Sequence, residues 1–478
     1  MPWYSINKEQ RPIYIAGILA ALINVGIIIA EQYWALLIPV GLLIVTMTFL
    51  ALDKVLYFVI FSTPLSIFYL DPTLHVGFTL PTEPLLFGIM LIFFAKIIYK
   101  GNFDLSIVRH PVSLIIIGSV LWMLVTTITS ELPLVSTKYL VARIWFVSVF
   151  FYVMSQLFYF PKKTYLFYWL YLLPLAAVVI YTVVVHAQWG FTKDASVWVM
   201  FPFFKEHTSY GAVLALYIPI AVAFTFAINW DVNRKVLAGT VLLILLTGVI
   251  LSYTRAAWVS LVAAGLAGFM IWIRLRREIF YLLVAMGIGV LFYFQNDILK
   301  RFEKNDTTSS DDLSEHVESI SNISTDASNM ERINRWKSAF RMFAERPIVG
   351  HGPGTYMFLY APYQKPHEKT IISTNAGDMG NAHSEYIGPL AEQGVLGLIW
   401  VLLLVYFTVK TGIRAYYKTE DRNLKALALA TLIGLMTYWT HGFLNNFLDM
   451  DKATLPVWGF TAFLVFLDSR KKNLSGNL

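Results

Sequence analysis

The sequence predicts an all-α polytopic membrane protein with 12–14 transmembrane helices and a large extracytoplasmic loop that contains amphipathic helices. Three observations predict this fold class. The 478 residues are 57% hydrophobic, only 14% are charged, and the mean hydropathy is +0.61, which is far more apolar than a soluble domain. Apolar runs of membrane-spanning length recur along the chain, and the loops between them alternate between rich and poor in lysine and arginine.

Fourteen apolar runs are candidate spans because each approaches the roughly 20 residues that a helix needs to cross a bilayer. The third, twelfth and fourteenth runs are short, so the predicted number falls between 12 and 14. The runs cover residues 12–30, 33–52, 55–70, 84–99, 112–129, 139–160, 164–185, 207–228, 236–252, 256–273, 278–295, 395–410, 424–444 and 453–468.

The basic residues predict which side of the membrane each loop faces. With the N-terminus in the cytoplasm, the cytoplasmic loops collect 21 lysines and arginines, whereas the short outer loops hold five. Cytoplasmic loops of membrane proteins are enriched in this way. We therefore expect both termini in the cytoplasm and the long loop after residue 295 outside it. The net charge of +7 follows from this topology, and no nucleic acid partner is expected.

The chain is predicted to have three parts. Residues 1–295 form a transmembrane bundle of about eleven spans, residues 296–394 an extracytoplasmic catalytic loop, and residues 395–478 the C-terminal transmembrane helices with a cytoplasmic tail. The loop begins with an acidic, polar insert over 303–326, a composition that buries little apolar surface. The chain has no cysteine, which excludes disulfides, thiolate metal sites and a cysteine nucleophile.

Two helices are predicted in the later part of the loop. Ser328 and Glu331 have the spacing of a capping box, and apolar residues then recur at helical intervals until Pro347. A glycine-rich stretch follows over 350–354. A second helix is expected to begin near Asn381, an acceptable N-cap residue, and to stop at Gly394.

Four arginines are candidates for binding a diphosphate, because a guanidinium offers planar, paired donors to phosphate oxygens. Arg143 lies inside an apolar run, where charge is costly, and Arg255 lies at the outer end of another. Arg332 and Arg335 lie on the predicted loop helix. The alternative for the two membrane arginines is a side chain that reaches lipid phosphates or a helix C-terminus.

His383 is the candidate general base, since an imidazole with a pKa near 6.5 is largely neutral at neutral pH and can accept a hydroxyl proton. The alternative is a packed structural histidine beside Tyr386. His207 and His351 are weaker candidates, because each could cap a helix or pack. The outer carboxylates show no metal-ligand spacing, so no metal and no cofactor are predicted.

These stretches resemble the O-antigen ligase and Wzy-type O-antigen polymerase superfamily of polytopic bacterial membrane proteins. The resemblance covers roughly residues 200–410, whereas the N-terminal half matches only as a row of spans. It rests on Arg332-Ile333-x-x-Trp336, Pro347-Ile348-Val349-Gly350-x-Gly352-x-Gly354, His383-Ser384-Glu385-Tyr386, Glu392-x-Gly394-Val395-Leu396-Gly397, Thr254-Arg255-Ala256-Ala257-Trp258 and the looser Phe203-Phe204-Lys205-Glu206-His207.

The resemblance implies a metal-independent, inverting glycosyltransferase of the membrane-embedded C type, located in the bacterial inner membrane with its large loop in the periplasm. Its donor would be a glycan on undecaprenyl diphosphate, and its acceptor lipid A-core in a ligase or a second lipid-linked repeat unit in a polymerase. His383 would activate the acceptor hydroxyl, and Arg255 and Arg332 would hold the diphosphate. Possible supporting residues are His207, Trp336 and Tyr386.

Several alternatives stay open at this point. Fourteen spans exceed the twelve of a typical ligase and the acidic insert is extra, so ligase and polymerase are both retained, with a protein O-glycosylating enzyme ranked third. The alternative from another class is a lipid-linked oligosaccharide flippase, which would place charges along a central cavity. A scaffold for glycan export would need neither His383 nor Arg255.

Overall fold

The computed structural model describes Leu19 and residues 51–70, 77–101, 104–275, 327–370, 373 and 380–470. The predicted spans over 12–30 and 278–295, nearly all of the span over 33–52, and the acidic insert over 303–326 lie outside these residues. The described part contains fifteen α-helices and one antiparallel hairpin. An all-α membrane protein is therefore confirmed, although the predicted number of spans for the whole chain stays a prediction.

The described helices and strands are numbered here in chain order. In chain order they are α1 (Leu52–Ser62), β1 (Ile67–Leu70), β2 (Gly77–Leu80), α2 (Thr82–Lys100), α3 (Leu105–Val108), α4 (Pro111–Ile128), α5 (Pro133–Phe146), α6 (Pro161–Gln188), α7 (Lys193–Ser196), α8 (His207–Val222), α9 (Val232–Leu251), α10 (Arg255–Trp272), α11 (Ala327–Glu345), α12 (Tyr356–Leu359), α13 (Ile387–Lys418), α14 (Arg422–His441) and α15 (Asp451–Ser469). Segments of π-helix extend α5 over Val147–Val153 and α8 over Ala223–Ala227.

Eight helical segments of the described part are long and apolar enough to cross a membrane. Seven agree with predicted apolar runs to within a few residues at their ends, because unbroken apolar composition over about 20 residues leaves few other solutions. The eighth, α13, extends the predicted run at 395–410 in both directions. The eight segments are Thr82–Tyr99, Pro111–Ile128, Pro133–Tyr159, Pro161–Gln188, His207–Ala227, Val232–Leu251, Arg255–Trp272 and Ile387–Lys418.

The prediction of a span over 55–70 is wrong. The helix α1 ends at Ser62 after 11 residues, a length of roughly 16 Å, which is about half of the hydrocarbon thickness. Pro64 then lies in a 3₁₀ turn, and the chain continues into β1, which pairs with β2. Hydropathy alone could not distinguish this hairpin from a span, because its residues Ile67, Phe68 and Tyr69 are apolar but exposed.

The last two helices, α14 and α15, are predicted spans that are less apolar than the others and are not among the eight segments. Helix α15 is buried at every position from Asp451 to Leu467. A helix surrounded by protein does not need a lipid-compatible surface, so it tolerates Asp451, Lys452 and several threonines. Ser66 and Thr82 both donate hydrogen bonds to the Asp451 carboxylate, at 2.7 and 2.5 Å.

The second loop helix begins later than predicted. Helix α13 starts at Ile387 and not near Asn381, because the Asn381 Oδ1 accepts the His383 N–H at 3.0 Å in a turn. The Ser384 hydroxyl instead accepts the backbone N–H groups of Tyr386 and Ile387 at the start of the helix. Gly394 breaks the helix, as predicted, through a left-handed φ of 69°.

One end of the bundle collects the segments that carry the candidate residues. The start of α8, the corner between α9 and α10, and the end of α14 all lie there, next to α11 and the segment 380–386. The opposite end carries the loops around residues 101–110, 228–231 and 419–421, which the sequence predicts to be cytoplasmic. The candidate site therefore lies on the side predicted to be extracytoplasmic, while the orientation itself stays a prediction.

Candidate active site

The start of α10 is fixed against the start of α8. The Thr254 hydroxyl donates a hydrogen bond to the His207 carbonyl oxygen at 2.9 Å. Gly211 permits this approach, because a Cβ atom at that position would lie 2.8 Å from the Thr254 side chain. Arg255 is the first residue of α10, so its guanidinium is held near the His207 ring, on which its charge acts.

Helix α11 brings Arg332 to the same place. Its Nε donates to the Leu444 carbonyl oxygen at 3.2 Å, in the segment between α14 and α15. Burial, followed by the nearby charge of Arg255, lowers the pKa of Arg332 to about 10, and the carboxylate of Glu206 opposes this shift. Arg332 therefore remains charged at neutral pH. Two arginines held this close favour binding of an anion, which relieves their repulsion.

His383 lies beside these arginines in the segment before α13. It adopts a left-handed backbone conformation with φ 47°, which is uncommon for residues other than glycine. Burial and the positive charges of Arg332 and Arg335 lower the pKa of the imidazole to about 3, while a hydrogen bond with the Asn445 side chain acts in the opposite direction. The imidazole is therefore neutral at physiological pH, as a general base must be.

Arg335 has a different position from Arg332, although both lie on α11. Its Nε donates to the Glu331 carboxylate at 2.8 Å and one Nη donates to the Asn381 carbonyl oxygen at 3.1 Å. Its guanidinium also lies 5.1 Å from the centre of the Tyr360 ring, and the residue is only 5% exposed. The structure thus uses Arg335 to hold the segment that carries His383.

Arg143 is separate from the other arginines. Its guanidinium donates to the Tyr139 hydroxyl at 3.0 Å, and the carboxylates of Glu385 and Asp449 are the acidic groups that act on it. These groups line a cavity beside the segment 380–386. The structure therefore does not bring Arg143 together with Arg255 and Arg332.

The supporting candidates Trp336 and Tyr386 have different roles in the structure. Trp336 lies one helical turn after Arg332 and its buried indole N–H has no hydrogen-bond partner among the described residues, so it could donate to a substrate. The Tyr386 hydroxyl donates to the Trp439 carbonyl oxygen at 2.9 Å, and its ring stacks on Phe443 at 4.3 Å. Tyr386 is therefore part of the packing.

His351 is packed inside the protein, in agreement with its position as a weaker candidate for the general base. The ring is fully buried, with Nδ1 2.7 Å from a Glu131 carboxylate oxygen and Nε2 3.0 Å from the Met342 carbonyl oxygen. His207, in contrast, lies at the site, where the charges of Arg332 and Arg255 act on its ring. Its buried Nδ1 has no hydrogen-bond partner among the described residues.

Sequence reasoning did not identify two residues of the site. His441 ends α14, and the charges of Arg332 and His207 act on its ring. The Asn445 side-chain nitrogen lies 3.0 Å from the His441 Nε2 and the same side chain hydrogen-bonds His383. The available signal was a histidine at the outer end of an apolar run, which is the kind of residue that marks functional sites in membrane proteins.

Glu385 anchors the segment that carries His383. One of its carboxylate oxygens accepts hydrogen bonds from the Tyr438 hydroxyl at 2.6 Å and from the backbone N–H groups of Phe447 and Leu448 at 2.7 and 2.9 Å. Its own N–H donates to the Gly442 carbonyl oxygen at 2.8 Å. These bonds join the His383 segment to the one that contains Leu444 and Asn445, so they fix the base relative to Arg332.

The glycine-rich stretches interlock with each other through backbone hydrogen bonds. The Gly352 N–H donates to the Glu392 carbonyl oxygen at 2.8 Å, and the Val395 N–H donates to the Pro347 carbonyl oxygen at 2.9 Å. A Cβ atom on Gly394 would lie 2.0 Å from the Ile348 carbonyl oxygen. The stretch after α11 is therefore docked backbone to backbone on the kink in α13.

We expect Gly394→Ala to lower the free energy of unfolding by about 2 kcal/mol or more, because alanine is strained at φ 69° and its Cβ meets a backbone oxygen. Thermal unfolding of the purified protein in detergent measures the effect. Gly265→Ala is the matched control, since a Cβ there has no atom within 4 Å. Equal unfolding temperatures for the two variants would contradict the proposed interlock.

No group of three or more histidine, aspartate or glutamate side chains within the described ranges is arranged to hold a metal ion. The predicted metal independence stays a prediction.

Residues 240–402 match the family model described as O-antigen ligase. The matched range contains Arg255, Arg332 and His383. No curated protein matches the chain.

Proposed function

The chain belongs to the O-antigen ligase and Wzy-type polymerase superfamily, and from this premise we propose that it transfers a glycan from undecaprenyl diphosphate to lipid A-core. The transfer takes place at the outer face of the bacterial inner membrane, without a metal ion and with inversion at the anomeric carbon. The observation that carries this proposal is a neutral His383 beside Arg255 and Arg332 at one end of the bundle. Polymerisation of lipid-linked repeats is the alternative.

The proposed reaction is a single displacement. The acceptor hydroxyl oxygen attacks the anomeric carbon of the donor glycan while the bond from that carbon to the diphosphate oxygen breaks. A ring nitrogen of His383 takes the hydroxyl proton, and the bonding electrons leave with undecaprenyl diphosphate. Arg255 and Arg332 stabilise the charge that develops on the diphosphate, which needs cations more than it needs a proton. His207 and Trp336 lie where they can contact the same substrates.

Donor binding should make His383 a stronger base. In the free protein burial, followed by the charges of Arg332 and Arg335, opposes protonation of the imidazole. A bound diphosphate brings negative charge that counteracts Arg332, which stabilises the imidazolium and raises the His383 pKa. The base is therefore weak before the donor arrives and becomes effective in the complex.

This linkage predicts different pH dependences for kcat/KM and kcat. The acid limb of kcat/KM reports groups of the free enzyme, so protonation of His383 should not lower it between pH 7 and pH 5, because the free pKa is about 3. The acid limb of kcat should lie at higher pH, because the pKa in the complex is raised. Steady-state rates at saturating and subsaturating donor measure both. Identical acid limbs near pH 6.5 would contradict the linkage.

The function is tested with purified protein in detergent and an undecaprenyl-diphosphate-linked glycan. Lipid A-core and a second lipid-linked repeat are offered as separate acceptors, with a chelator present. Transfer to lipid A-core supports the ligase, and chain growth on the second repeat identifies a polymerase. No transfer to either acceptor by folded protein would overturn the enzyme proposal and favour a flippase.

A further inference from the structure

A cavity lies beside the segment 380–386. Its volume is about 160 Å³, roughly that of five water molecules at about 30 Å³ each, which leaves room for a single sugar ring. The polar residues that line it include Arg143, Glu385 and Asp449, and Trp439 and Trp458 also line it. None of these residues is proposed to contact the reacting groups, so the cavity requires its own explanation.

The carboxylates of this cavity differ in how they are used. Glu385 is engaged by the three hydrogen bonds described above, and Glu392 accepts the Tyr356 N–H at 3.0 Å. Both therefore hold the protein together. Asp449, in contrast, is an exposed residue that lines the cavity, where its own backbone N–H and the charges of Arg143 and Lys205 act on its carboxylate. The Asp449 carboxylate is thus available to a ligand.

The cavity also contains buried polar groups without partners in the described part of the chain. The indole N–H donors of Trp439 and Trp458 have no hydrogen bond, although these residues are only 3% and 2% exposed. The side-chain oxygen of Asn446 has no partner either. Buried polar groups are normally paired, and an unpaired one is destabilising. These groups indicate a ligand that both donates and accepts hydrogen bonds.

The chemistry of the lining favours a neutral sugar over an anion. Three carboxyl groups and a single arginine line the cavity, which disfavours a phosphate or diphosphate. Hydroxyl groups both donate and accept, so a sugar can donate to Asp449 and Asn446 while it accepts from Arg143 and the two indoles. The apolar C–H face of a sugar ring can also pack against aromatic side chains, which is how mixed cavities of this kind bind small ligands.

The cavity adjoins the candidate active site. Ala382 and Ser384 line it, while His383 between them lies beside Arg332 and Asn445. Glu206 lies between the candidate active site and the cavity, since the charges of both Arg332 and Asp449 act on its carboxylate. We propose that this cavity binds one neutral sugar residue of the glycan substrate, with Asp449 and Arg143 as the groups that select its hydroxyl pattern. This inference rests on the proposed function.

The test measures binding of soluble methyl glycosides to the full chain in detergent by saturation-transfer NMR. The panel contains methyl glucoside, galactoside, rhamnoside and N-acetylglucosaminide, with glycerol as a polyol control. We expect at least one glycoside to bind wild type, and Asp449→Asn to weaken that binding by about tenfold or more, because the variant loses a charge-assisted hydrogen bond. Trp458→Phe, which keeps an aromatic ring but removes the donor, should weaken it less.

The controls separate the inference from the proposed function. Glu420→Gln removes an exposed carboxylate in the connection between α13 and α14 and should bind as wild type does. His383→Ala should keep glycoside binding while it loses glycan transfer. The sugar site would be overturned if no glycoside binds, or if wild type and a folded Asp449→Asn variant bind equally well. The cavity would then hold only water. Failure of the folded wild type to transfer glycan to either acceptor would instead overturn the proposed function.

Discussion

Replacement of His383 by alanine is expected to lower the rate of glycan transfer by about 10²–10⁴-fold, the usual contribution of a general base. The donor should still bind, because the groups proposed to hold its diphosphate are Arg255 and Arg332. The imidazole is neutral in the free protein and is fixed by its left-handed backbone, by Asn381 and by Asn445. Its removal therefore takes away the proton acceptor and leaves the arginine pair in place.

Single-turnover transfer with saturating donor measures this loss directly, and retention of donor is measured separately by co-purification of labelled carrier lipid. His367→Ala is the matched control, because that histidine lies in the same long loop and its side chain is 75% exposed. It should transfer glycan at the wild-type rate. A folded His383→Ala variant that keeps more than half of the wild-type rate would show that another group accepts the proton.

The sequence predicted which residues meet at the site better than it predicted what each one does. Arg255, Arg332 and His383 come together as expected, but Arg335 is engaged by Glu331. That pairing could have been anticipated, because Glu331 stands four residues before Arg335 and such pairs meet on one face of a helix. No local pattern could have assigned Arg143 to a different cavity, since its partners Glu385 and Asp449 are hundreds of residues away in the chain.

The fold shows the same division between local and tertiary information. Helices that face lipid are readable from composition, because lipid demands an apolar surface along the whole span. Helix α15 is hidden from lipid by its neighbours, so its composition is less apolar. The interlock between Gly352 and Glu392 depends on which backbones meet, and the glycines alone were equally compatible with a ligand-binding loop.

The second large effect on glycan transfer is expected from substitution of Arg255 and Arg332. We expect Arg332→Ala to reduce both donor affinity and the rate of transfer, the latter by about 10²–10³-fold, the cost of losing one preorganised donor to a developing negative charge. Arg255→Ala should act in the same direction. Because both guanidinium groups are proposed to bind one diphosphate, the double variant should lose less than the sum of the two single losses. Arg332→Lys should recover only part of the loss, since an ammonium lacks the paired planar donors.

Inorganic diphosphate provides a probe that is independent of turnover. It should raise the unfolding temperature of the wild type, as any ligand of the folded state does, and should do so much less for Arg332→Ala or Arg255→Ala. Lys337→Ala controls for charge on the same helix, because its side chain is 53% exposed and pairs with Glu368 at 3.3 Å. If diphosphate stabilises the arginine double variant as much as the wild type, the anion binds elsewhere in the protein. His383 would then lose the bound charge that is proposed to raise its pKa, so the two results together decide whether the base and the arginines act on one substrate.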